Sequence, residues 1–324
     1  MAPEDTRELR IVILSYNTCE LLSDCLASLQ ADPQAHRWHV VVVDNASSDD
    51  SPRMVQERFP WVTLVQSDDN RGFSAGNNLG MVDAAEEYAL FLNSDTVVPA
   101  GAVGRLLEFV KSHDDCSAAG PRLENPDGSP QPSCRTFPGP LNTLIEGFWL
   151  DRLLPRSRLL GRPRMTWLTH HETVPVDYVA GAALMVRREE FEQVGGWPQA
   201  YFFYAEDAEL CRALAAGGRK VYFTGDIAIT HIGGASAGLQ SLWTTIQAHR
   251  SVLLFSLRNG GPGRLLLHRI ALTLTTLPRL LGALLLWPLA GLQGKGSGTR
   301  QRIAVYAGAL RPVFTPARKL VSGP

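Results

Sequence analysis

Four apolar runs in this sequence end on polar side chains able to hold a ligand. Ser15-Tyr16-Asn17 follows RIVIL, Asp44-Asn45 follows HVVVV, Asn93-Ser94-Asp95 follows YALFL, and His231 follows a run ending at Thr230. A carboxylate at such a point can reach a divalent cation, which makes Asp95 the candidate metal ligand and His231 its candidate companion. Manganese accepts mixed oxygen and imidazole ligands, whereas magnesium prefers oxygen and water. Glu206 and Asp207 open the stretch AEDAELCRALAAGG, where a carboxylate could take a proton from an attacking hydroxyl. Adjacent helical side chains diverge by about 100°, so only one of the two would face a substrate. Every one of these residues also has an ordinary role. Ser-Tyr-Asn and the Asx-rich stretch after Asp44 make turns and caps, and acids in a first helical turn complement its dipole. Tyr201-Phe202-Phe203-Tyr204 could wall an apolar or sugar-stacking pocket or simply pack in a core.

Chemistry that is missing narrows the choice. The first strand runs into SYNTCELL rather than G-x-G-x-x-G, and G-x-x-x-x-G-K-[ST] occurs nowhere. A dinucleotide cofactor and a P-loop are therefore disfavoured. The phosphates of any nucleotide would need another counter-charge, for which a carboxylate-held metal is the obvious source.

These residues must be positioned by a scaffold, and hydrophobic periodicity supplies one. Strands are expected at Arg10–Ser15, His39–Val43, Val62–Val65 and Tyr88–Leu92. Helices are expected at Thr18–Gln30, Arg53–Phe59 (opened by Ser51 and Pro52) and Phe73–Glu87. Such alternation predicts an α/β domain with a mainly parallel sheet covered on both faces, with ligands beyond the carboxyl ends of its strands. Pro121–His171 reads as an irregular connection between halves. Val176–Arg187 returns as strand, Ala205–Ala216 as helix and Lys220–Thr230 as strand.

Composition divides the chain differently. Its 324 residues carry 31 Lys/Arg and 32 Asp/Glu, yet no acid follows Asp226, and 11 Lys/Arg do. An acidic body is joined to a basic, Leu-rich tail. Five scattered cysteines without metal spacing suggest neither a disulfide framework nor a zinc site, and the charged start MAPEDTRELR gives no signal-peptide pattern. A reducing cytosol is the expected compartment.

The order VILSYN, VVVVDNASSDDS, NRGFSAGNN, FLNSDTVV, VAGAALMVRREEFEQVGGW, FFYAEDAELCRAL and ITHIGG resembles family 2 inverting glycosyltransferases, most of all their bacterial rhamnosyltransferase-type branch. The likeness spans Ile11 to Gly234. It implies a GT-A fold over residues 1–240, with a nucleotide-binding half to about 115 and an acceptor half to 240, followed by the helical tail 241–324. It also implies a nucleotide-sugar donor and Mn²⁺ or Mg²⁺. By this resemblance Ser15, Tyr16 and Asn17 border the nucleotide and Asp44 bonds the base. Arg71 and Asn77 lie in the block that meets the donor. Asn93, Ser94 and Asp95 match the D-x-D-type site, with Asn93 in place of the frequent first Asp. Asp207 matches the catalytic base with Glu206 beside it, His231 a metal-coordinating residue, and Gly181 and Trp197 the blocks around the acceptor.

The expected function is transfer of a sugar, with dTDP-rhamnose as leading donor, to a hydroxyl of a lipid-linked or cell-surface glycan. UDP-galactofuranose, UDP-glucose or UDP-GlcNAc as donor, or a catalytically silent sugar-nucleotide-binding subunit, are the alternatives. No nucleic-acid partner is expected. For the tail, Arg279 and Pro288 weigh against a spanning helix. The expectation is peripheral attachment to the cytoplasmic face of the membrane through anionic lipid, against the alternative of a soluble helical subdomain.

Overall fold

A computed structural model of the chain describes residues 7–233, 242–292 and 296–321. The last glycine of the ITHIGG block and the boundary expected at residue 240 lie outside the described residues. In chain order the elements are β1 (Leu9–Ser15), α1 (Cys19–Gln30), β2 (Trp38–Asp44), α2 (Ser51–Arg58), β3 (Thr63–Gln66), α3 (Gly72–Leu79), β4 (Tyr88–Asn93), β5 (Thr96–Val97), α4 (Ala102–Ser112), β6 (Cys116–Glu124) and β7 (Cys134–Arg135). They continue with α5 (Pro140–Gly147), α6 (Leu150–Leu153), β8 (Thr173–Val176), β9 (Tyr178–Val179), β10 (Ala183–Arg187), α7 (Arg188–Gln193), α8 (Glu206–Ala215), β11 (Lys220–His231), α9 (Leu242–Leu292), α10 (Gly296–Phe314) and α11 (Ala317–Val321).

Two compact units result. The first comprises Met1–Thr136, Leu168–Gln199 and Glu206–Ser236, the second Phe137–Trp167, Ala200–Ala205 and Ala237–Pro324. The first is built on a sheet of order β3-β2-β1-β4-β10-β6-β11-β5, with β8 also on β11. From β3 to β4 it is parallel, as the alternation of strands and helices requires. Beyond β4 it is mixed: β10 runs antiparallel to β4 and β6, β6 and β11 are parallel, and β5 and β8 oppose β11. A mainly parallel sheet thus describes its N-terminal half only.

The runs of Val, Ile and Leu in β1, β2 and β4 are buried because helices cover both faces. Leu22, Cys25, Leu26 and Leu29 of α1 recur at helical spacing and pack into this core with Ile11 and Ile13. On the other face α3 lies very close to β1. A Cβ at Gly76 would come 2.4 Å from Leu14, and one at Gly80 would come 2.4 Å from Val12. The helix expected to reach Glu87 ends at Leu79, and the physical reason is Arg10. Its guanidinium takes the carbonyls of Gly80, Val82 and Asp83, and Asp83 turns to a left-handed φ of 57°. The strand expected over Val176–Arg187 is three pieces, β8 to β10, broken around Asp177 and at Ala180–Ala182.

The second unit is helical. Gly261, at φ 68° and ψ −168°, breaks α9 into two arms, with Pro262 starting the second. The Pro- and Arg-rich stretch read as an irregular connection contains α5, α6 and a 3₁₀ turn at Arg162–Arg164. α5 is held to α9 by His268, which lies between Thr143 Oγ1 at 2.7 Å and Ser256 Oγ at 2.6 Å. The aromatic run at 201–204 also belongs here: Phe202 sets its ring edge-on to Trp243, and Ser251 Oγ donates to the Phe203 carbonyl.

Candidate active site

The site is assembled at the carboxyl end of β4. The Asn93 N–H donates to the Ala182 carbonyl at 2.9 Å, and the Asn93 carbonyl accepts the Thr96 hydroxyl at 2.8 Å. The chain therefore turns at once and presents Asp95, largely buried. β5 then pairs with the end of β11, Thr96 opposite His231. That pairing brings His231 Nε2 to 3.3 Å from Asp95 Oδ1, while Asp95 Oδ2 accepts the Gly233 N–H.

Gln131, absent from the sequence candidates, decides which nitrogen of His231 is free. Its Nε2 donates to the carbonyl of His231 at 2.6 Å and to Asn125 Oδ1 at 2.8 Å. Both partners are acceptors, which fixes the amide orientation and leaves Gln131 Oε1 facing His231 Nδ1 at 2.8 Å. Nδ1 must then carry a proton, so in the neutral ring the lone pair is on Nε2, the nitrogen beside Asp95. Asn93 Nδ2 lies 3.4 Å from that Nε2, so this side chain meets the imidazole directly.

The donor set suits a hard or borderline divalent cation: one carboxylate oxygen, and one imidazole held in the right tautomer by its neighbour. No three His, Cys, Asp or Glu side chains gather to enclose an ion among the described residues. Any cation would complete its shell with phosphate oxygens and water, as magnesium and manganese do in nucleotide sites.

Asp207 lies on the other side of the Gly181-Ala182 dipeptide. Ala182 holds Asn93, and the Gly181 N–H bonds the Asp207 carboxylate, whose Oδ1 also accepts the Ala208 N–H at 2.8 Å. Close packing around the carboxylate raises its pKa above the ordinary value, although Arg135 and these amides pull the other way. A carboxylate poised this way is a better proton acceptor than an exposed one. Two consecutive left-handed residues, Tyr204 at φ 69° and Ala205 at φ 64°, set the start of α8. Such conformations cost about 1–3 kcal/mol each in non-glycine residues. Glu206 is buried while Asp207 is partly exposed, the divergence expected of neighbours on a helix.

The remaining candidates line the ends of β1 and β2. Ser15, Thr18 and Ser94 form a buried chain of hydroxyls at 3.0 and 2.9 Å, joining the ends of β1 and β4. Asn17, at φ 53°, accepts the Ser48 N–H at 2.7 Å and ties the first loop to the second. Tyr16 beside it is half-buried. Asp44 is buried, with Oδ2 on the Ser47 N–H and no partner for Oδ1. A buried carboxylate oxygen left open at a strand end is the feature a base-binding acceptor needs. Asn45, the second residue of the Asp44-Asn45 cluster, holds the third loop by accepting the Arg71 N–H at 3.0 Å and donating to Asn70. The Arg71 guanidinium itself is exposed and paired with Asp69.

Two residues have structural surroundings. Asn77 turns its amide back to the Phe73 carbonyl within α3. Trp197, 1% exposed, lies edge-on to Phe73 and Phe91, a wall behind the site rather than a surface open to an acceptor. Its ring packs tightly over Gly181, where a Cβ would come 3.2 Å from it and 3.3 Å from Phe73. Asn78, adjacent to the predicted Asn77, is the side chain that reaches across. Its amide exchanges two 2.9 Å hydrogen bonds with the Trp197 backbone.

This sheet, half parallel and half mixed, with polar clusters at the ends of β1, β2 and β4, is a GT-A fold. The chain superposes on the mannosyltransferase PcManGT of Pyrobaculum calidifontis, solved with GDP-Man and Mn²⁺, with a TM-score of 0.55 and 18% identity over 97% of this chain and 89% of that one. Residues 10–194, more than half of the chain, match the family described as glycosyl transferase family 2, and the chain belongs to that family. It is a glycosyltransferase with rhamnosyltransferase-like relatives. The N-acetylglucosaminyl-diphospho-decaprenol L-rhamnosyltransferase of Mycobacterium tuberculosis is 29% identical over 77% of this chain and 84% of its own length. Rhamnosyltransferase WbbL of Escherichia coli is 24% identical over 66% and 79%.

Proposed function

We propose that this chain is an inverting, metal-dependent glycosyltransferase that moves rhamnose from dTDP-rhamnose to a hydroxyl of a lipid-linked glycan, working at the cytoplasmic face of the membrane. The observation that carries the catalytic reading is the Asp95–His231–Gln131 arrangement, a carboxylate and an imidazole lone pair aimed at one point. Asp95 and His231 would hold Mn²⁺ or Mg²⁺. A bound divalent cation would supply positive charge against the donor diphosphate. Asp44 accepts from the base, and the Ser15–Thr18–Ser94 hydroxyls hold the two strand ends in place beneath the nucleotide. Asp207 takes the proton of the acceptor hydroxyl as that oxygen attacks the anomeric carbon from the face opposite the leaving group. One displacement inverts the centre, and no covalent enzyme intermediate is needed. The mycobacterial relative, named for a diphospho-decaprenol acceptor and a rhamnosyl group, supports this choice of donor and acceptor class.

The membrane part of the reading rests on α9. Residues Leu242–Pro288 are long and apolar enough to cross a membrane by length and composition. In the second arm Leu266, Ile270, Leu274, Leu277, Leu281 and Leu284 recur at helical spacing and are all exposed, while the opposite face buries a mixed set, Leu265, Ala271 and Leu272 with His268, Thr275 and Thr276. A helix packed in water turns its polar residues outward, so a continuous outward stripe of leucine and isoleucine marks a surface that meets something apolar. We assign this stripe to an anionic membrane surface, with the tail's Arg and Lys meeting lipid phosphate.

The test is a panel of nucleotide sugars offered to the purified protein with Mn²⁺, Mg²⁺ or chelator. dTDP-rhamnose should give the strongest metal-dependent binding and slow hydrolysis, and Asp95→Ala should lose both. Metal-dependent donor binding that survives Asp95→Ala would move the metal site elsewhere. Donor binding without any hydrolysis or transfer would favour the catalytically silent subunit.

A further inference from the structure

Residues 137–167 take no part in the chemistry above, yet they are firmly built into the helical unit. Arg264 donates to the Pro138 carbonyl at 2.8 Å, and Arg279 donates to the Gly147 carbonyl and stacks its guanidinium 4.4 Å over Trp149. Both acids of the segment are engaged inside it, since Arg164 lies 3.2 Å from Glu146 and 3.3 Å from the buried Asp151. What remains outward is apolar. Phe148, Trp149, Leu153, Leu154 and Leu159 are between 49% and 73% exposed within twelve residues. Arg152, Arg156 and Arg158 are exposed among them. Isolated exposed apolar residues are ordinary, but a run of this density interleaved with one sign of charge marks a docking surface.

We propose that residues 148–159 are a second membrane anchor, inserting into the headgroup boundary of a bilayer that contains anionic lipid. The inference rests on the reading that α9 lies at a membrane, and it extends that reading to a segment inserted between β7 and β8. Charge complementarity selects the occupant. Trp149 matches the interfacial preference of tryptophan, and the leucines reach the acyl region. The three arginines extend their heads to lipid phosphate while laying their stems along the apolar surface. Arg279, tied to both Gly147 and Trp149, fixes the anchor against α9, so the two elements are presented from the same helical unit.

The full chain is floated with vesicles of phosphatidylcholine alone and of phosphatidylcholine with phosphatidylglycerol. Wild type should bind the anionic vesicles preferentially. Arg152→Gln/Arg156→Gln/Arg158→Gln should weaken that binding about a hundredfold. Leu153→Ser/Leu154→Ser/Leu159→Ser should weaken it on both vesicle types, with donor hydrolysis in solution unchanged as the check on folding. Tryptophan quenching by brominated lipid should fall in Trp149→Phe. A parallel variant, Leu277→Ser/Leu281→Ser/Leu284→Ser, tests α9 alone. If it releases the protein while the 152–159 variants bind as wild type and Trp149→Phe keeps the full quenching, the second anchor is wrong and the α9 reading stands. Wild type that binds no vesicle overturns both. Self-association without lipid that the leucine variant abolishes, with vesicle binding intact, overturns the proposal in favour of a second copy of the chain.

Discussion

The same three strands carry polar clusters at both ends, and the two clusters are opposite in character. At the amino ends of β1, β2 and β4 the network closes on itself. Glu86 accepts Arg10 Nε at 2.9 Å, the Ala85 N–H at 3.0 Å and His39 Nδ1 at 2.6 Å, and His39 Nε2 meets Thr63 at 3.0 Å. Burial pushes the Glu86 carboxyl up, but the bonds from His39 and Arg10 outweigh it and hold the pKa at about 2. At the carboxyl ends, Asp44 keeps a buried oxygen without a partner, and nearby, across the Gly181-Ala182 dipeptide, Asp207 of α8 is held above its ordinary value. His231 faces Asp95 through Nε2, with Nδ1 already taken by Gln131. A cluster that satisfies itself stabilises a fold. One that leaves oriented groups open bears a stability cost that only a ligand offsets.

The comparison breaks most sharply at Asp207. Asp207→Asn keeps size and polarity but cannot take a proton, so kcat should fall about 10²–10⁴-fold with donor affinity nearly intact. Stability should move the other way. A carboxyl whose folded pKa is raised loses stability as pH climbs from its unfolded value through the folded one, and the neutral amide escapes that loss. Thermal unfolding at neutral pH should therefore show a midpoint equal to or above wild type. A lower midpoint together with intact kcat would make Asp207 a structural acid.

Glu86→Gln should give the mirror image. It strips the charge partner from buried Arg10 and should cost about 3 kcal/mol of unfolding free energy while kcat stays at the wild-type level. Because the folded pKa is depressed, the contribution of Glu86 is complete above its unfolded value near 4.5 and is lost as pH falls toward about 2. Denaturant titrations from neutral pH down through that window should show wild type and variant converging. Curves that stay parallel would remove Glu86 from the ledger of acid stability.

How far the sequence revealed these two ends differs, and for physical reasons. Asp44, Asp95 and His231 were legible because each stands at or just past the end of a largely apolar run, and a polar residue there must lie at the rim. Arg10, His39 and Glu86 carry no such local signal. Their partners are 29 to 76 positions apart, and only strand register brings them together. The same limit hid Gln131, in a Pro-rich run 100 residues from His231, and Asn78, which looks no different from Asn77 until the Trp197 backbone arrives. The antiparallel half of the sheet was invisible too. β10 follows a long insertion, so nothing local tells it to reverse direction against β4. The tail's leucine pattern was readable as helix, but which face turns outward depended on α5 packing against α9.

A smaller effect is expected at Gln131, which touches no candidate ligand atom yet sets the tautomer of His231. Gln131→Ala frees the ring to rotate and to protonate Nε2. Outer residues of this kind are worth about 10–100-fold in metal affinity. Mn²⁺ binding followed by electron paramagnetic resonance, in the presence of nucleoside diphosphate, should weaken by that factor while thermal stability changes little. Gln131→Glu, which can still accept from Nδ1–H but cannot donate to the His231 carbonyl, should recover most of the loss. Equal defects in both variants would mean that the bond to the backbone, not the tautomer, is what matters.

The smallest effect distinguishes the two acids that open α8. Glu206 and Asp207 are adjacent, and either could be the base from sequence alone. The helix sends them in different directions. Glu206 is buried, whereas Asp207 is partly exposed and bonded by the N–H of Gly181, the residue before the one that holds Asn93. Proton transfer needs direct reach to the reacting hydroxyl, and Asp207 lies beside the dipeptide that also borders the loop carrying Asp95. Glu206→Gln preserves volume and most hydrogen-bonding capacity, so kcat should fall less than about tenfold, under 1.4 kcal/mol of barrier. The double variant with Asp207→Asn should be no slower than Asp207→Asn by more than that same factor, because the two acids would then act independently. A Glu206→Gln enzyme slower than Asp207→Asn, with normal donor binding, would exchange their roles and place the base on the buried side of the helix.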